Sequence, residues 1–204
     1  MLVILEYGIG NINSISNMLR KIGVQSTVTN DPVLIGKADK IILPGVGHFD
    51  YCMKQIRKQD FFPILQSKVC EDRTSILGVC VGCQMLFQGS EEGTEPGLGW
   101  LKGKVVKFDN TRLTSKQKIP HMSWSDVSVK TQSPLYLGLA DPRFYFVHSF
   151  HVHPDNYSIV SAECNYGYDF PASVEDNNIF GVQFHPEKSH HFGMTLYRNF
   201  VNLA

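Results

Sequence analysis

A cysteine between two glycines, Gly78-Val79-Cys80-Val81-Gly82, is the segment of this 204-residue chain best suited to chemistry. It follows the apolar run Ser75-Ile76-Leu77 and precedes Gln84-Met85-Leu86-Phe87, which reads as the beginning of a helix. A nucleophile on such a strand-to-helix turn is lifted above the carboxyl edge of a sheet, and the glycines admit the crowded backbone. The helix N-terminus behind it favours negative charge on the sulfur, and the N–H of Val81 is a natural oxyanion donor. A buried cysteine in a glycine-rich turn leaves the same trace, so a base must decide between the two. Phe184-His185-Pro186-Glu187 supplies one, with His185 at a strand end and Glu187 placed to orient the imidazole. A third piece, Pro44-Gly45-Val46-Gly47, follows Ile41-Ile42-Leu43 and would aim backbone N–H groups at an oxyanion; a plain strand-ending turn has the same composition.

These residues need a sheet with helices around it. Residues 2–5, 25–29, 40–43 and 75–79 read as short strands. Ile12, Ile15, Met18, Leu19 and Ile22 fall at helical spacing and stop at Gly23, and further helical patterns cover 50–58 and 61–70. Strand–helix alternation with apolar strands implies a parallel sheet covered on both faces. In the second half, strands at 104–108, 126–129, 144–147, 159–162 and 179–184 imply an antiparallel extension or a mixed edge, before a last helix over 192–203 carrying Phe192, Leu196, Phe200 and Leu203 on one face. No repeat, linker or low-complexity tract interrupts this, so the expectation is one α/β domain over residues 1–204 with a mostly parallel, mixed sheet flanked by helices.

Composition narrows the partners. Lys+Arg and Asp+Glu are both 19, for a net charge of 0, which argues against nucleic-acid binding through bulk charge. With 43% hydrophobic residues the chain does not read as disordered. No run approaches the length of a membrane span and no basic segment precedes the apolar start, so a cytoplasmic protein without a membrane partner is expected. Five cysteines without a framework spacing suit free thiols in a reducing compartment.

The elbow together with His-Pro-Glu resembles the class-I, triad-type glutamine amidotransferases. Leu43-Pro44-Gly45-Val46-Gly47, Pro120-His121-Met122 and Tyr145-Phe146-Val147-His148-Ser149 narrow the resemblance to the glutaminase subunits of imidazole glycerol phosphate synthase in histidine biosynthesis. That resemblance implies a Cys80-His185-Glu187 triad hydrolysing glutamine through a glutamyl thioester, with no cofactor and no metal. It implies an oxyanion hole from Val46, Gly47 and Val81. Glutamine would be held by Gly47, Gln84, Glu92 and the His148-Ser149-Phe150 stretch, Glu92 facing the α-ammonium. It also implies a synthase or cyclase partner, a (β/α)8 barrel, docked near Gly10, Asn11, Trp124, Tyr145 and Lys188. In the family, the Gly45-Val46-Gly47 turn would act as a switch that the loaded partner closes.

Three departures stand out. Pro120-His121-Met122-Ser123-Trp124-Ser125 replaces the usual Pro-His-Met-Gly-Trp-Asn, Glu6 replaces Asp in the first strand motif, and Cys83 replaces Met after the elbow. None touches the triad, but they leave open a sugar-modifying synthase of surface-polysaccharide assembly as the ammonia acceptor. Other chemistries are less well served. Cys80-Val81-Gly82-Cys83 is also a redox-type C-x-x-C, yet such a site needs neither flanking glycine nor His-Pro-Glu. The histidines at 148, 151, 153, 185, 190 and 191 show no metal-ligand spacing. Gly8-Ile9-Gly10-Asn11 lacks the third glycine of a dinucleotide loop.

Overall fold

The computed structural model describes residues 1–203. Its first strand, β1 (Leu2–Leu5), is apolar and buried throughout, as a central parallel strand must be. It lies between β2 (Ser26–Thr29) and β3 (Lys40–Gly45), parallel to both. β3 continues the parallel set to β4 (Ser75–Cys80), in a register that sets Gly45 opposite Cys80. The crossovers are helical: α1 (Ile12–Lys21), the short α2 (Pro32–Gly36), α3 (Phe49–Arg57) and α4 (Phe62–Cys70). α2 was not read from the sequence, although it carries the expected signals: Asp31 accepts from the N–H of Val33 at 2.8 Å and Pro32 starts the first turn. α5 (Val81–Met85) begins directly after Cys80, earlier than the apolar run at 84–87 suggested, and makes little more than one turn.

The second half supplies β5 (Gly103–Lys107), β6 (His121–Val129), β7 (Arg143–His148), β8 (Phe150–Pro154), β9 (Val160–Tyr166), β10 (Tyr168–Asp176), β11 (Ile179–Val182) and α6 (His190–Val201). The large sheet runs β2-β1-β3-β4-β11-β10-β9-β6-β7. β11 joins β4 in parallel, and from β11 outward every pairing is antiparallel. This is the mixed sheet with an antiparallel extension that the pattern implied. β5 and β8 stand apart as an antiparallel pair. Two strands escaped the sequence reading. β10 carries Pro171 at a register shift, where proline is admitted because the ladder is already broken. β8 is Phe-His-Val-His-Pro, whose alternation is masked by histidine. Among the described residues no helix is long and apolar enough to cross a membrane.

The parallel strands β1, β3, β4 and β11 all end at one edge of the sheet. The segments leaving that edge are Asn11, Gly45–Gly47, Cys80 and His185, so residues distant in sequence converge where open α/β sheets hold their ligands.

Candidate active site

Cys80 closes β4 at φ +56° and ψ −114°, a positive φ that a residue with a Cβ adopts only under strain. The strain persists because neighbouring backbone leaves no alternative. A Cβ on Gly78 would lie 2.6 Å from the Gly82 carbonyl oxygen, and one on Gly45 would strike the backbone N of Gly82. The two glycines of the elbow and the one ending β3 therefore let three backbone segments meet where one side chain would separate them. The result is the sharp strand-to-helix turn expected of a nucleophile elbow.

His185 follows β11 and is 2% exposed. Its Nδ1 lies 2.7 Å from Glu187 Oε1, and the same oxygen accepts from Asn11 Nδ2 at 2.8 Å. A carboxylate oxygen only accepts, so His185 carries a proton on Nδ1 and turns Nε2 toward Cys80. That Nε2 is buried and makes no hydrogen bond to any other group. Burial opposes charge on His185, but the Cys80 sulfur and the Glu187 carboxylate outweigh it and raise the imidazole to about 10. Burial likewise pushes Glu187 up, yet its bonds to His185 and Asn11 hold it below the usual carboxylate range.

The backbone around the base is clamped by β7. The His185 N–H donates to the Tyr145 carbonyl at 2.9 Å. The Ser189 hydroxyl donates to the His185 carbonyl at 2.6 Å and accepts from the Tyr145 N–H at 3.0 Å. Ser189 carried no role in the sequence reading. A serine ahead of a helix reads as an N-cap, but its side chain makes no capping bond to α6 and faces β7 instead.

A cavity of about 410 Å³ opens over Cys80 and His185. Val46, Gly47, Val81, Gln84, Glu92, His148, Ser149 and Phe150 line it, so the residues expected to stabilise an oxyanion and to hold glutamine converge on one space. Pro120 and Val147 join them without having been anticipated. Glu92 is half-buried and accepts from the Phe49 N–H at 2.8 Å, which distinguishes it from its exposed neighbour Glu91.

The geometry adds contacts for three of the expected residues. Asn11, expected on the partner face, turns inward to Glu187. Gly10 is packed against β3, where a Cβ would lie 2.5 Å from Pro44 Cβ. His148 lines the cavity with both ring nitrogens engaged, Nδ1 facing the Phe150 carbonyl at 2.8 Å and Nε2 facing His121 at 3.1 Å. The other three expected partner contacts, Lys188, Tyr145 and Trp124, neighbour one another, and Lys188 also lines the cavity. Lys188 lies 5.5 Å over the Tyr145 ring, and Trp124 stacks on His190 at 5.3 Å. Cys83 is fully buried against Gly181, and burial pushes its thiol far up, which suits packing rather than dithiol chemistry.

The family description "glutamine amidotransferase class-I" fits residues 3–203. The chain is 45% identical over 205 residues to a Pseudomonas aeruginosa protein named imidazole glycerol phosphate synthase subunit HisH 2, covering 100% of both. It is 44% identical over 204 residues to the Bdellovibrio bacteriovorus subunit HisH, again covering 100% of both. A solved structure described as a glutamine amidotransferase superposes with a TM-score of 0.75 over 98% of this chain and 96% of that one; at 19% identity it shows a shared fold.

Proposed function

We propose a function that proceeds from one premise: the chain belongs to the class-I glutamine amidotransferase family. Within it, the chain is the glutaminase subunit of an imidazole glycerol phosphate synthase, working in histidine biosynthesis beside a synthase subunit. The full-length identity to proteins named as that subunit supports this reading, and the arrangement of Cys80, His185 and Glu187 beneath one cavity carries the chemistry. The partner is a (β/α)8 barrel that receives ammonia, and the cytoplasm is the setting.

Cys80 Sγ, its proton already held on His185 Nε2, attacks the side-chain carbonyl carbon of glutamine as a thiolate. The developing oxyanion lies against backbone N–H groups of Val81 and of the Val46–Gly47 turn. When the tetrahedral species collapses, the imidazolium returns the proton to the amide nitrogen and ammonia departs. Water, deprotonated by His185 Nε2, cleaves the thioester to glutamate and frees the cysteine sulfur. Glu187 keeps its proton off and its charge beside the imidazolium throughout. Glu92 pairs with the α-ammonium.

Gly47, at φ +92° and with open space around its Cα, lets the preceding peptide turn with little steric resistance. One oxyanion donor is worth about 10²–10³ in turnover, enough to gate the glutaminase by partner state. Lys188, with Tyr145 and Trp124 beside it, would meet the partner there. The test is glutamine hydrolysis by the subunit alone, with the synthase subunit, and with synthase plus its ligand. Rates rising across the series, with ammonia appearing in imidazole glycerol phosphate, are expected. Absence of glutamine hydrolysis in all three sinks the glutaminase reading, and equal rates sink the gating.

A further inference from the structure

Behind one wall of the cavity runs a hydrogen-bonded chain that no step of the proposed reaction uses. Its inner end is the Phe150 carbonyl, which faces His148 Nδ1 at 2.8 Å and accepts from Gln84 Nε2 at 3.0 Å. A carbonyl has no proton to give, so His148 carries its hydrogen on Nδ1 and presents Nε2 as an acceptor. The atom facing that Nε2, at 3.1 Å, is Nδ1 of His121. His121 must then donate from Nδ1 and accept at Nε2. The groups there are the hydroxyls of Ser123 at 2.9 Å and Ser125 at 3.0 Å, themselves 2.9 Å apart. One carbonyl thus sets both tautomers, and donation runs in one direction from the serines on β6, through two imidazoles, to the cavity wall.

The chain is built into the fold. His121 and His148 are directly opposed in the β6–β7 pairing. His121 is fully buried and stacks on Tyr166 at 4.0 Å and on Phe146 at 5.0 Å. Burial lowers His121 to about 4 and His148 well below its usual range, so each ring holds a single proton near neutrality, as the pattern requires. Ser123 and Ser125, which replace the glycine and asparagine of the resembling subunits, supply its outer donors.

We propose that His121 is a positioning residue for glutamine: through His148 it fixes the His148-Ser149-Phe150 wall and so acts on substrate binding, not on proton transfer. This rests on the glutaminase reading. Phe150 is the point where the wall is also tied to Gln84, so loss of the His148 bond frees the stretch that faces the substrate. Three variants separate the role from packing. His121→Phe keeps an aromatic ring but removes the donor. His121→Asn keeps an N–H near the position of Nδ1. His121→Gln moves the amide toward the Nε2 end.

With the assembled synthase, His121→Phe and His121→Gln are expected to raise KM for glutamine about tenfold, the worth of one buried hydrogen bond, with kcat within about twofold of wild type. His121→Asn is expected to recover most of the loss. Imidazole 15N spectra of the wild type should show His148 protonated on Nδ1. Unchanged KM in both impaired variants, a fall in kcat matching the rise in KM, or His121→Asn as impaired as His121→Gln overturns the proposal. So does a wild-type His148 protonated on Nε2, which needs no variant to fold. A wild-type synthase that cleaves no glutamine overturns the glutaminase reading and this role together, whereas an active one with normal variants overturns this role alone.

Discussion

Asn11 and His185 meet at one oxygen of Glu187, so the imidazole is oriented by a carboxylate that is itself oriented. Asn11→Ala should leave glutamine binding nearly intact while lowering kcat about tenfold or more, the scale of a hydrogen bond to a charged group. Steady-state hydrolysis distinguishes this from a contact with the partner, which would alter complex formation instead. His185→Ala removes the base and should cost at least about 10² in kcat. Glu187→Gln should retain measurable activity, and a larger loss there than in His185→Ala would reverse the assigned roles. The raised imidazole gives a sign to the pH dependence. Its contribution to folding is complete below about 6.5, the unfolded value, and is lost as pH rises toward about 10. A chloroketone analogue of glutamine should alkylate Cys80. Cys52 and Cys164 are each pushed up to about 12 by burial, and the exposed Cys70 lies outside the cavity. Labelling confined to Cys70, read by peptide mass, would reject Cys80 as the nucleophile.

At the scale of elements, the base depends on β7 as much as on β11. Ser189→Ala leaves the Tyr145 N–H without its partner, while the His185 carbonyl keeps only the Lys188 N–H, at 3.1 Å. One unpaired N–H of this kind costs about 1–3 kcal/mol. A lowered urea midpoint with an unchanged slope is the expected outcome, together with reduced kcat as the turn loosens. The sequence showed β1, β3 and β4 because their apolar runs are bounded by glycine and proline, and it showed the elbow because two glycines flank a cysteine. It also placed His185 and Glu187, since strand, proline and acid follow one another. It did not show Ser189, which ties the His185 carbonyl to Tyr145 on a strand more than forty residues away. Nor did it show the inward turn of Asn11, because only the parallel sheet brings the loop after β1 beside the segment after β11. β6 was read too short for a related reason: its first half, His121-Met122-Ser123-Trp124-Ser125, looks like a polar loop until His121 finds His148.

For the whole molecule, three buried neutral imidazoles set a limit on acid tolerance. His121 and His151 are each lowered to about 4 and His148 further, all chiefly by burial. The unfolded chain takes up their protons near 6.5 while the folded chain refuses them, so stability falls as pH drops from about 6.5 toward about 4. With three such groups the slope reaches about 4 kcal/mol per pH unit at its steepest. Urea unfolding at pH 7 and pH 5 should show this loss, and His151→Phe should flatten it. The sheet order has a different consequence. β4 and its cysteine can be completed by the first half of the chain, but β11 must insert beside β4 from about a hundred residues later, bringing the base with it. A polypeptide still being synthesised, or arrested halfway through folding, therefore carries a disarmed thiol. Catalytic competence becomes a certificate of completed assembly, and in a refolding time course helical signal should return before the first ammonia is released.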